Sequence, residues 1–276
     1  MKTRISAKTI VILLLALLWL LVAFVPFWFM VLTSFKQSME LMTRPVWAFP
    51  DNPILTNFMN VINNRFFRFL TNSSIVVSVS IFLVVIISSM AAYVFARIRF
   101  RLIQPLFALI IAGLIVPIHV TLIPIYLLTT RVGIYDSLYA LIGPYVAFSL
   151  PVSIFILTQF MRQIPYELED AARIDGCGPM GSFFRIVLPL SRSGLVTIAI
   201  FNAVSLWNEF VFAFVLTSSP STRTLPLAIW DFQGQYASDI PQIMAVLLLS
   251  ALPLIIAYVI FQEQLVKGIM AGAIKG

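Results

Sequence analysis

Six apolar stretches, each long enough to cross a lipid bilayer as a helix, limit what this chain can fold into. A bilayer core about 30 Å thick needs about 20 apolar residues in an α-helix. Helices are favoured because hydrocarbon offers backbone polar groups no other partner, and the alternating pattern of a β-barrel is absent. The sequence therefore predicts an all-α membrane protein with six transmembrane helices in a single domain, residues 1–276. The predicted spans are residues 10–35, 73–96, 105–128, 138–160, 194–216 and 242–262.

The composition agrees with a protein whose surface lies mostly in lipid. Hydrophobic residues make up 61% of the chain and charged residues 11%, whereas soluble domains carry about 25% charged residues. Residues 10–35 contain no charged side chain and exceed the apolar core of a signal peptide, which is about 7–15 residues long. We therefore expect a retained first span. The single cysteine, Cys177, excludes an internal disulfide and cannot hold a metal by itself, and no metal site is predicted.

Lysines and arginines are distributed unevenly between the segments that join the spans. With the N-terminus inside the cell, the inner segments hold twelve of them and the outer segments six. Arg97, Arg99 and Arg101, directly after the second span, give the clearest local bias. Because positively charged segments tend to stay in the cytoplasm, both termini are predicted to be cytoplasmic. The same rule explains the net charge of +7 without a nucleic-acid partner.

This orientation places two long segments outside the cell. Residues 36–72 contain RPVWAFPDNP, which is typical of an irregular loop, and then NFMNVINNRFFRFL, which predicts a short amphipathic helix at the interface. Residues 217–241 mix turn residues with Trp230, Phe232 and Tyr236. Neither segment contains the pattern of a soluble domain.

The most polar segment between two spans is residues 165–189, PYELEDAARIDGCGPMGSFFRIVLP, within a predicted cytoplasmic loop at 161–193. Pro165 suits the first turn of a helix, because the missing N–H costs nothing there. The acids that follow favour the positive end of the helix dipole, and Gly176 favours the end of the helix. The pattern predicts a short helix over residues 165–175.

Two further features of this loop are predicted from local chemistry. Glu169 and Arg173 are four residues apart in the favourable order for a surface pair. After the turn at GCGPMG, Ser182 suits the N-cap of a second helix. Helix chemistry alone leaves two interpretations equally open, a connector between spans four and five or a docking surface for another protein.

The spacing in this loop resembles the EAA motif, the cytoplasmic signature of permeases in importers driven by ATP-binding-cassette (ABC) ATPases. The core triplet is Asp170-Ala171-Ala172, followed by Gly176 and by I-x-L-P at residues 186–189. ARIRFR, P-x-x-V-T-L-I-P-x-Y, YDSLYAL, WNEF and LVKGIMAGAIKG also resemble the carbohydrate-uptake branch of this family. The resemblance covers essentially the whole chain.

The resemblance implies a type I ABC importer permease fold in the bacterial cytoplasmic (inner) membrane. The implied partners are a second, related permease, two ABC ATPase subunits and an external solute-binding protein. The chain has no G-x-x-x-x-G-K-[S/T] motif for ATP, so it is expected to be a non-catalytic subunit. ATP and Mg would then be bound by the ATPases, and no cofactor is expected in this chain.

In the family, the loop docks into a cleft on the ATPase and passes its closure to the spans. The core acid is usually Glu, whereas here it is Asp170 preceded by Glu169. We therefore expect Asp170 to form the ion pair with the ATPase, with Glu169 as the second candidate. The resemblance also directs the C-terminal tail towards the ATPases. The expected docking residues are Glu169, Asp170, Ala171, Ala172, Asp175 and Gly176.

Candidate residues of a translocation path lie in the third and fifth spans. Glu209 is the only carboxylate within a predicted span, and an ionisable group at that depth is a functional hypothesis by default. The alternative is packing, in which Asn208 and Glu209 hydrogen-bond to a neighbouring span. His119 lies between Pro117 and Pro124, which are expected to bend the third span. For His119 too, an interhelical hydrogen bond is the structural alternative.

The sequence is thus interpreted as a permease subunit that imports a sugar or an oligosaccharide. Glycerol phosphate esters and polyols remain open as alternative solutes for the same class of importer. A secondary transporter driven by an ion gradient is the alternative mechanism, although the sequence shows no inverted repeat. A membrane-embedded enzyme is disfavoured, because no paired acids or metal-binding motif lie within the spans.

Overall fold

The computed structural model describes residues 7–227 and 239–273, and over these residues the chain is built of helices and turns without a strand. This confirms the predicted all-α class. The helices are α1 (Ala7–Ser34), α2 (Glu40–Thr43), α3 (Thr56–Val61), α4 (Phe67–Arg97), α5 (Ile103–Ala112), α6 (Ile118–Val132), α7 (Tyr139–Arg162), α8 (Glu167–Ile174), α9 (Pro179–Ser182), α10 (Leu188–Leu190), α11 (Arg192–Trp207), α12 (Val211–Leu216) and α13 (Ile240–Ala273).

Four helical stretches of the described chain are long and apolar enough to cross a membrane, and the number rises to six if each of two bent pairs counts as one span. The four agree with the first, second, fourth and sixth predicted spans. They are Lys8–Ser34, Thr56–Arg97, Tyr139–Arg162 and Ile240–Gln262.

The third predicted span is a bent pair. Ile103–Ile115 and Ile118–Val132 meet at an angle of 95°, and Pro117 stands at the break with an extended ψ of 132°. The predicted bend is therefore confirmed at Pro117. Pro124, by contrast, lies inside α6.

The fifth predicted span, residues 194–216, is not one helix. Helix α11 ends at Trp207 and α12 begins at Val211. The prediction of a continuous span is wrong here, because the carboxylate of Glu209 accepts hydrogen bonds from the backbone of the first turn of α12. A second bend of 71° separates Pro179–Leu190 from Arg192–Trp207.

The described chain forms two compact units, one of residues up to 67 with 239–253, the other of residues 68–227 with 254–273. The single domain predicted for the whole chain stays a prediction. Each unit is described by itself.

In the first unit, the segment before α3 is irregular from residue 44 to 55, as predicted. The predicted amphipathic helix is α3, and it is shorter than its pattern suggests. A π-helical turn at Ile62–Phe66 interrupts the chain before α4, where Arg65 adopts a φ of +63°. The buried Asn57 amide donates to the carbonyls of Ser34 and Lys36, and so ties α3 to the end of α1.

The second unit has two apolar cores. The first surrounds the break between α11 and α12 and includes Val76, Leu141, Tyr145, Phe212 and Leu216. The second packs α4 and α7 against the segment after α8 and includes Ala92, Tyr93, Leu157, Met161, Phe183 and Val187.

Candidate functional site

The polar loop at 165–189 is a helical hairpin. Its first helix, α8, begins at Glu167, two residues later than the predicted start at Pro165. The carbonyl of Tyr166 accepts the first helical hydrogen bonds, from Glu169 N at 2.9 Å and Asp170 N at 3.0 Å. Pro165 therefore precedes the helix.

Gly176 ends α8, as predicted. Its φ of +82° lies in the left-handed region, which glycine adopts without steric cost. Its N–H donates to the carbonyl of Arg173, and the next N–H, of Cys177, donates to the carbonyl of Ala172. These two bonds form a Schellman motif, the usual glycine stop of a helix.

The second helix of the hairpin begins at Pro179, and the prediction of a Ser182 cap is wrong. Pro179 occupies the first helical position after an extended Gly178. Proline is favoured there because its fixed φ already suits a helix. Ser182 is consequently one turn inside the helix and buried. The helical path continues through a π-helical turn, Phe183–Val187, into α10.

A buried ion pair fixes the hairpin to α4. Arg97 Nε lies 2.7 Å from Glu169 Oε1, and the two side chains are only 3% and 2% exposed. The Tyr93 hydroxyl lies 3.2 Å from both Glu169 Oε2 and the carbonyl of Pro179, and can donate to either. One turn of α4 thereby contacts the first helix of the hairpin and the start of the second.

The remaining contacts of Arg97 extend this anchor. Its Nη2 donates to the carbonyl of Ile164 at 2.7 Å, and its guanidinium lies 4.4 Å from the centre of the Tyr166 ring. The Tyr166 hydroxyl donates back to the carbonyl of Ala96. We call Tyr93, Arg97, Tyr166 and Glu169 the Arg97 anchor.

Apolar packing supports the anchor from the second helix. Phe183 and Val187 are buried in the core with residues of α4 and α7, and the rings of Tyr93 and Phe183 lie 5.2 Å apart. Burying a phenylalanine side chain contributes about 1.5–3 kcal/mol. Both helices of the hairpin are therefore held by the ends of the spans.

The outer face of the hairpin carries most of the predicted docking residues. Asp170 is 62% exposed, and its Oδ1 lies 3.1 Å from Arg173 Nη1. The predicted pair between Glu169 and Arg173 is therefore wrong, because Arg173 pairs with Asp170. Ala171, Asp175 and Gly176 are exposed and Ala172 is half-buried.

Glu169 also belongs to the predicted docking set, but its carboxylate is buried within the chain in the Arg97 anchor. The exposed face has an apolar member that sequence reasoning did not single out. Ile174 is 87% exposed at the end of α8. The hairpin thus presents acidic and apolar side chains together.

A cavity of about 330 Å³ lies beside the break in the fifth span. Glu209 lies on the wall of this cavity, and both of its carboxylate oxygens accept hydrogen bonds. Its Oε2 accepts from the Tyr145 hydroxyl at 2.6 Å and from Ala213 N at 3.2 Å, and its Oε1 accepts from Phe212 N at 2.8 Å. Other lining residues are Phe148, Ser149, Phe201, Asn202 and Ser205.

The other two predicted path residues do not line this cavity. Asn208 is exposed and donates to the carbonyl of Val204 in its own helix, not to a neighbouring span. His119 is exposed in the first turn of α6, next to the break at Pro117. Their part in a path stays a prediction.

A third polar centre joins the loop between α6 and α7 to the chain after α12. Asp136 Oδ1 accepts from Ser218 N at 2.8 Å, from Ser219 N at 2.9 Å and from the Thr222 hydroxyl at 2.6 Å, and Oδ2 accepts from the Ser219 hydroxyl. Burial raises the pKa of the Asp136 carboxyl, but the hydrogen bonds from Ser219, Thr222 and Ser218 outweigh it and hold the pKa well below its usual range. We call this group the Asp136 clamp.

Sequence reasoning missed the Arg97 anchor and the Asp136 clamp. The sequence does contain a signal for the anchor. Tyr93 and Arg97 are four residues apart and therefore neighbours on one helix face, and the small Ala92 and Ala96 beside them leave room for another helix to approach. Trp230, Phe232 and Tyr236, the aromatic residues predicted outside, lie beyond the described residues.

Comparison with known proteins identifies relatives along the whole chain. ORF2 of Caldicellulosiruptor sp., whose name describes an ABC transporter permease, is 58% identical over 94% of each chain. The sulfoquinovosyl glycerol transport system permease protein SmoH of Agrobacterium fabrum is 39% identical over 88% of this chain and 86% of its own. The trehalose/maltose transport system permease protein MalG of Thermococcus litoralis is 34% identical over 98% of both.

The fold is also that of a chain in a solved ABC transporter. A chain in the crystal structure of a bacterial ABC transporter involved in the import of the acidic polysaccharide alginate superposes with a TM-score of 0.83 at 19% identity. The match covers 95% of this chain and 99% of the other.

The family described as "Binding-protein-dependent transport system inner membrane component" matches residues 84–270. The resemblance to ABC importer permeases is therefore confirmed. The chain belongs to the family of inner membrane components of binding-protein-dependent transport systems.

Proposed function

We propose that this chain is the permease subunit of an ATP-driven importer and that the hairpin at 165–189 couples it to the ATPases. One observation carries the proposal. The hairpin is fixed on its inner face by the Arg97–Glu169 pair and exposes Asp170 and Ile174 on the other. A protein partner can bury the isoleucine and pair with the acid at the same time, which water cannot do, so a protein is the occupant that this surface favours.

The transmission of force follows from the anchor. When the ATPase pair closes, the docked hairpin moves with it, and the buried contacts of Arg97 and Phe183 transfer the displacement to α4 and α7. The spans then rock, and a cavity at the middle of the membrane changes from facing the cytoplasm to facing the outside of the cell. Hydrolysis resets the inward state.

The proposed docking residues are those that remain accessible, namely Asp170, Ala171, Ala172, Asp175 and Gly176. Asp170 pairs with a basic side chain of the ATPase in exchange for Arg173. Glu169 holds the hairpin in position through Arg97.

The proposed solute is a sugar or an oligosaccharide. Relatives named for sulfoquinovosyl glycerol and for trehalose and maltose support this class. The wall of the cavity beside Glu209 is mostly apolar and includes the rings of Phe148 and Phe201, with Ser149 and Ser205 also on its lining. Aromatic faces suit the apolar side of a sugar ring, and the serine hydroxyls can hydrogen-bond to it. Glycerol phosphate esters and polyols remain the alternative solutes.

The proposed topology has both termini and the hairpin in the cytoplasm. The Asp136 clamp then lies outside, where it fixes the first part of the segment 217–241 for contact with the solute-binding protein. Residues 228–238 of that segment are outside the described chain. The partners are a second permease, two ATPases that bind ATP and Mg, and the binding protein.

An ion-driven transporter finds less support. Such a mechanism needs a buried ionisable group that exchanges its ion during the cycle. Both carboxylate oxygens of Glu209 already accept hydrogen bonds from Tyr145 and the backbone.

Reconstitution tests the proposed function. The chain is placed in proteoliposomes alone and together with candidate permease and ATPase partners, and uptake of labelled maltose and sulfoquinovosyl glycerol is measured with a matching binding protein. We expect ATP hydrolysis and uptake only in the complete assembly. Uptake by the chain alone, driven by an ion gradient, would contradict the proposal.

A further inference from the structure

A small cleft lies where α4 and α7 end and α5 begins. Its volume is about 300 Å³. It is separate from the cavity beside Glu209, with which it shares no lining residue. The lining residues are Phe95, Ile103, Gln104, Phe107 and Arg162.

The walls of the cleft differ in polarity. On one side, the ring centres of Phe95 and Phe107 lie 5.3 Å apart. The ring centre of Phe155 lies 6.4 Å from that of Phe107 and extends this aromatic column. The guanidinium of Arg162 and the amide of Gln104 provide the polar side. The cleft is therefore amphipathic.

Arg162 has unused hydrogen-bonding capacity. Its Nη2 makes one long contact of 3.4 Å with the carbonyl of Phe95, and its guanidinium lies 5.7 Å from the Phe107 ring. Across the described residues, no carboxylate comes within ion-pair distance of it. Because a guanidinium carries five N–H donors, most of them remain available to a ligand.

Neighbouring charges add to this positive end. Arg99 and Arg101 are exposed in the turn that leads into α5, directly before the lining residues Ile103 and Gln104. Arg97 does not contribute, because Glu169 neutralises it.

We infer that this cleft binds the phosphate group of an anionic phospholipid. The cleft lies at the ends of two helices that are long and apolar enough to cross a membrane, and the ends of such helices meet the polar head groups of the lipids. Arginine pairs two N–H groups with one phosphate, and basic pockets between transmembrane helices recognise anionic head groups. The aromatic column receives the glycerol and the first acyl carbons, which a soluble phosphate lacks. The inference requires only that these helices cross the bilayer, so it is independent of the proposed import function.

Native mass spectrometry of the full chain in detergent tests the site, with phosphatidylglycerol and phosphatidylcholine of identical acyl chains as probes. We expect preferential retention of phosphatidylglycerol. Arg162→Gln should weaken that retention about fivefold, since one arginine near an anionic lipid contributes about that factor. Arg131→Gln removes an exposed arginine at the far end of α6 and serves as the matched control, with no change expected.

A second variant keeps the test decisive if Arg162→Gln folds poorly. Gln104→Glu places a carboxylate in the cleft and should lower phosphatidylglycerol retention at least as much. Arg162→Lys keeps the charge but loses the paired N–H groups, so it should retain more lipid than Arg162→Gln and less than the parent chain. Unchanged retention in Arg162→Gln and Gln104→Glu would overturn the inference. So would equal losses in Arg162→Gln and Arg131→Gln, which indicate diffuse charge. Displacement of the lipid by millimolar glycerol 3-phosphate would indicate a soluble ligand and would contradict it as well.

Discussion

Arg97 Nε lies 2.7 Å from Glu169 Oε1, and each side chain is at least 97% buried. The pair joins the last turn of a membrane-spanning helix to the first helix of a polar hairpin. Burying two charges costs several kcal/mol each, so such a pair is rarely kept for stability alone. The position of the pair suggests its role, because a buried ion pair fixes α8 in one position along α4 and opposes movement of the hairpin relative to the span.

Removing one partner of this pair should be costly. Arg97→Met leaves the Glu169 carboxylate buried and uncompensated, which destabilises a protein by about 3–5 kcal/mol. Arg97→Met combined with Glu169→Leu should recover most of that loss, since apolar residues of similar volume replace a buried pair at little cost. Thermal unfolding of the purified chain in detergent measures both.

The exposed pair on the same hairpin is the matched control. Arg173→Met removes the partner of Asp170 at the surface, where an ion pair contributes at most about 1 kcal/mol. Equal destabilisation by Arg97→Met and Arg173→Met would show that the anchor does not hold the hairpin.

Reversing the exposed acid should affect assembly and leave folding intact. Asp170→Lys changes the sign of a side chain that is 62% exposed, and we expect the variant to insert and unfold like the parent chain but to lose ATPase subunits on co-purification. Asp51→Lys changes another exposed aspartate, in the irregular segment before α3, and should retain them. Normal ATPase recovery with Asp170→Lys would count against the docking face.

The sequence predicts best where one local signal decides the structure. Gly176 ends α8 because only the left-handed conformation closes the helix there, and Pro117 breaks the third span because it lacks an N–H. Ser182 failed as a helix start because Pro179, three residues earlier, suits the first turn better. In each case the outcome depends on neighbours in the chain.

Features that depend on distant residues were not predictable in this way. In the sequence, Arg97 is one of three arginines that predict the orientation of the second span. No residue near it in the chain identifies Glu169 as its partner. The break at Glu209 likewise depends on Tyr145 in another helix, whose hydroxyl makes a half-buried carboxylate acceptable at the start of α12. Hydrophobic length alone predicts a continuous span there.

Glu209→Gln tests whether that residue packs or lines a path. A glutamine has one acceptor oxygen in place of two, so it cannot satisfy Tyr145, Phe212 N and Ala213 N together. We expect a loss of about 1–3 kcal/mol in unfolding free energy, with Asn208→Ala, an exposed neighbour, changing it by no more than about 0.5 kcal/mol. Uptake per folded protein should change less than stability. Lost uptake with unchanged unfolding would favour a direct role in the path.

The Asp136 clamp should loosen only in acid. The pKa of the folded carboxyl lies below its ordinary value of 3.8, so its stabilising effect is complete above that value and is lost as the pH falls through the folded pKa. Hydrogen exchange at Ser218 and Ser219, corrected for intrinsic rates, should therefore be constant from about pH 8 to pH 5 and accelerate below about pH 4. In Asp136→Asn, which has no carboxyl to titrate, exchange should be faster throughout and show no such step. A wild-type step near pH 6 would contradict the clamp, because the hydrogen bonds from Ser219 and Thr222 stabilise the ionised form.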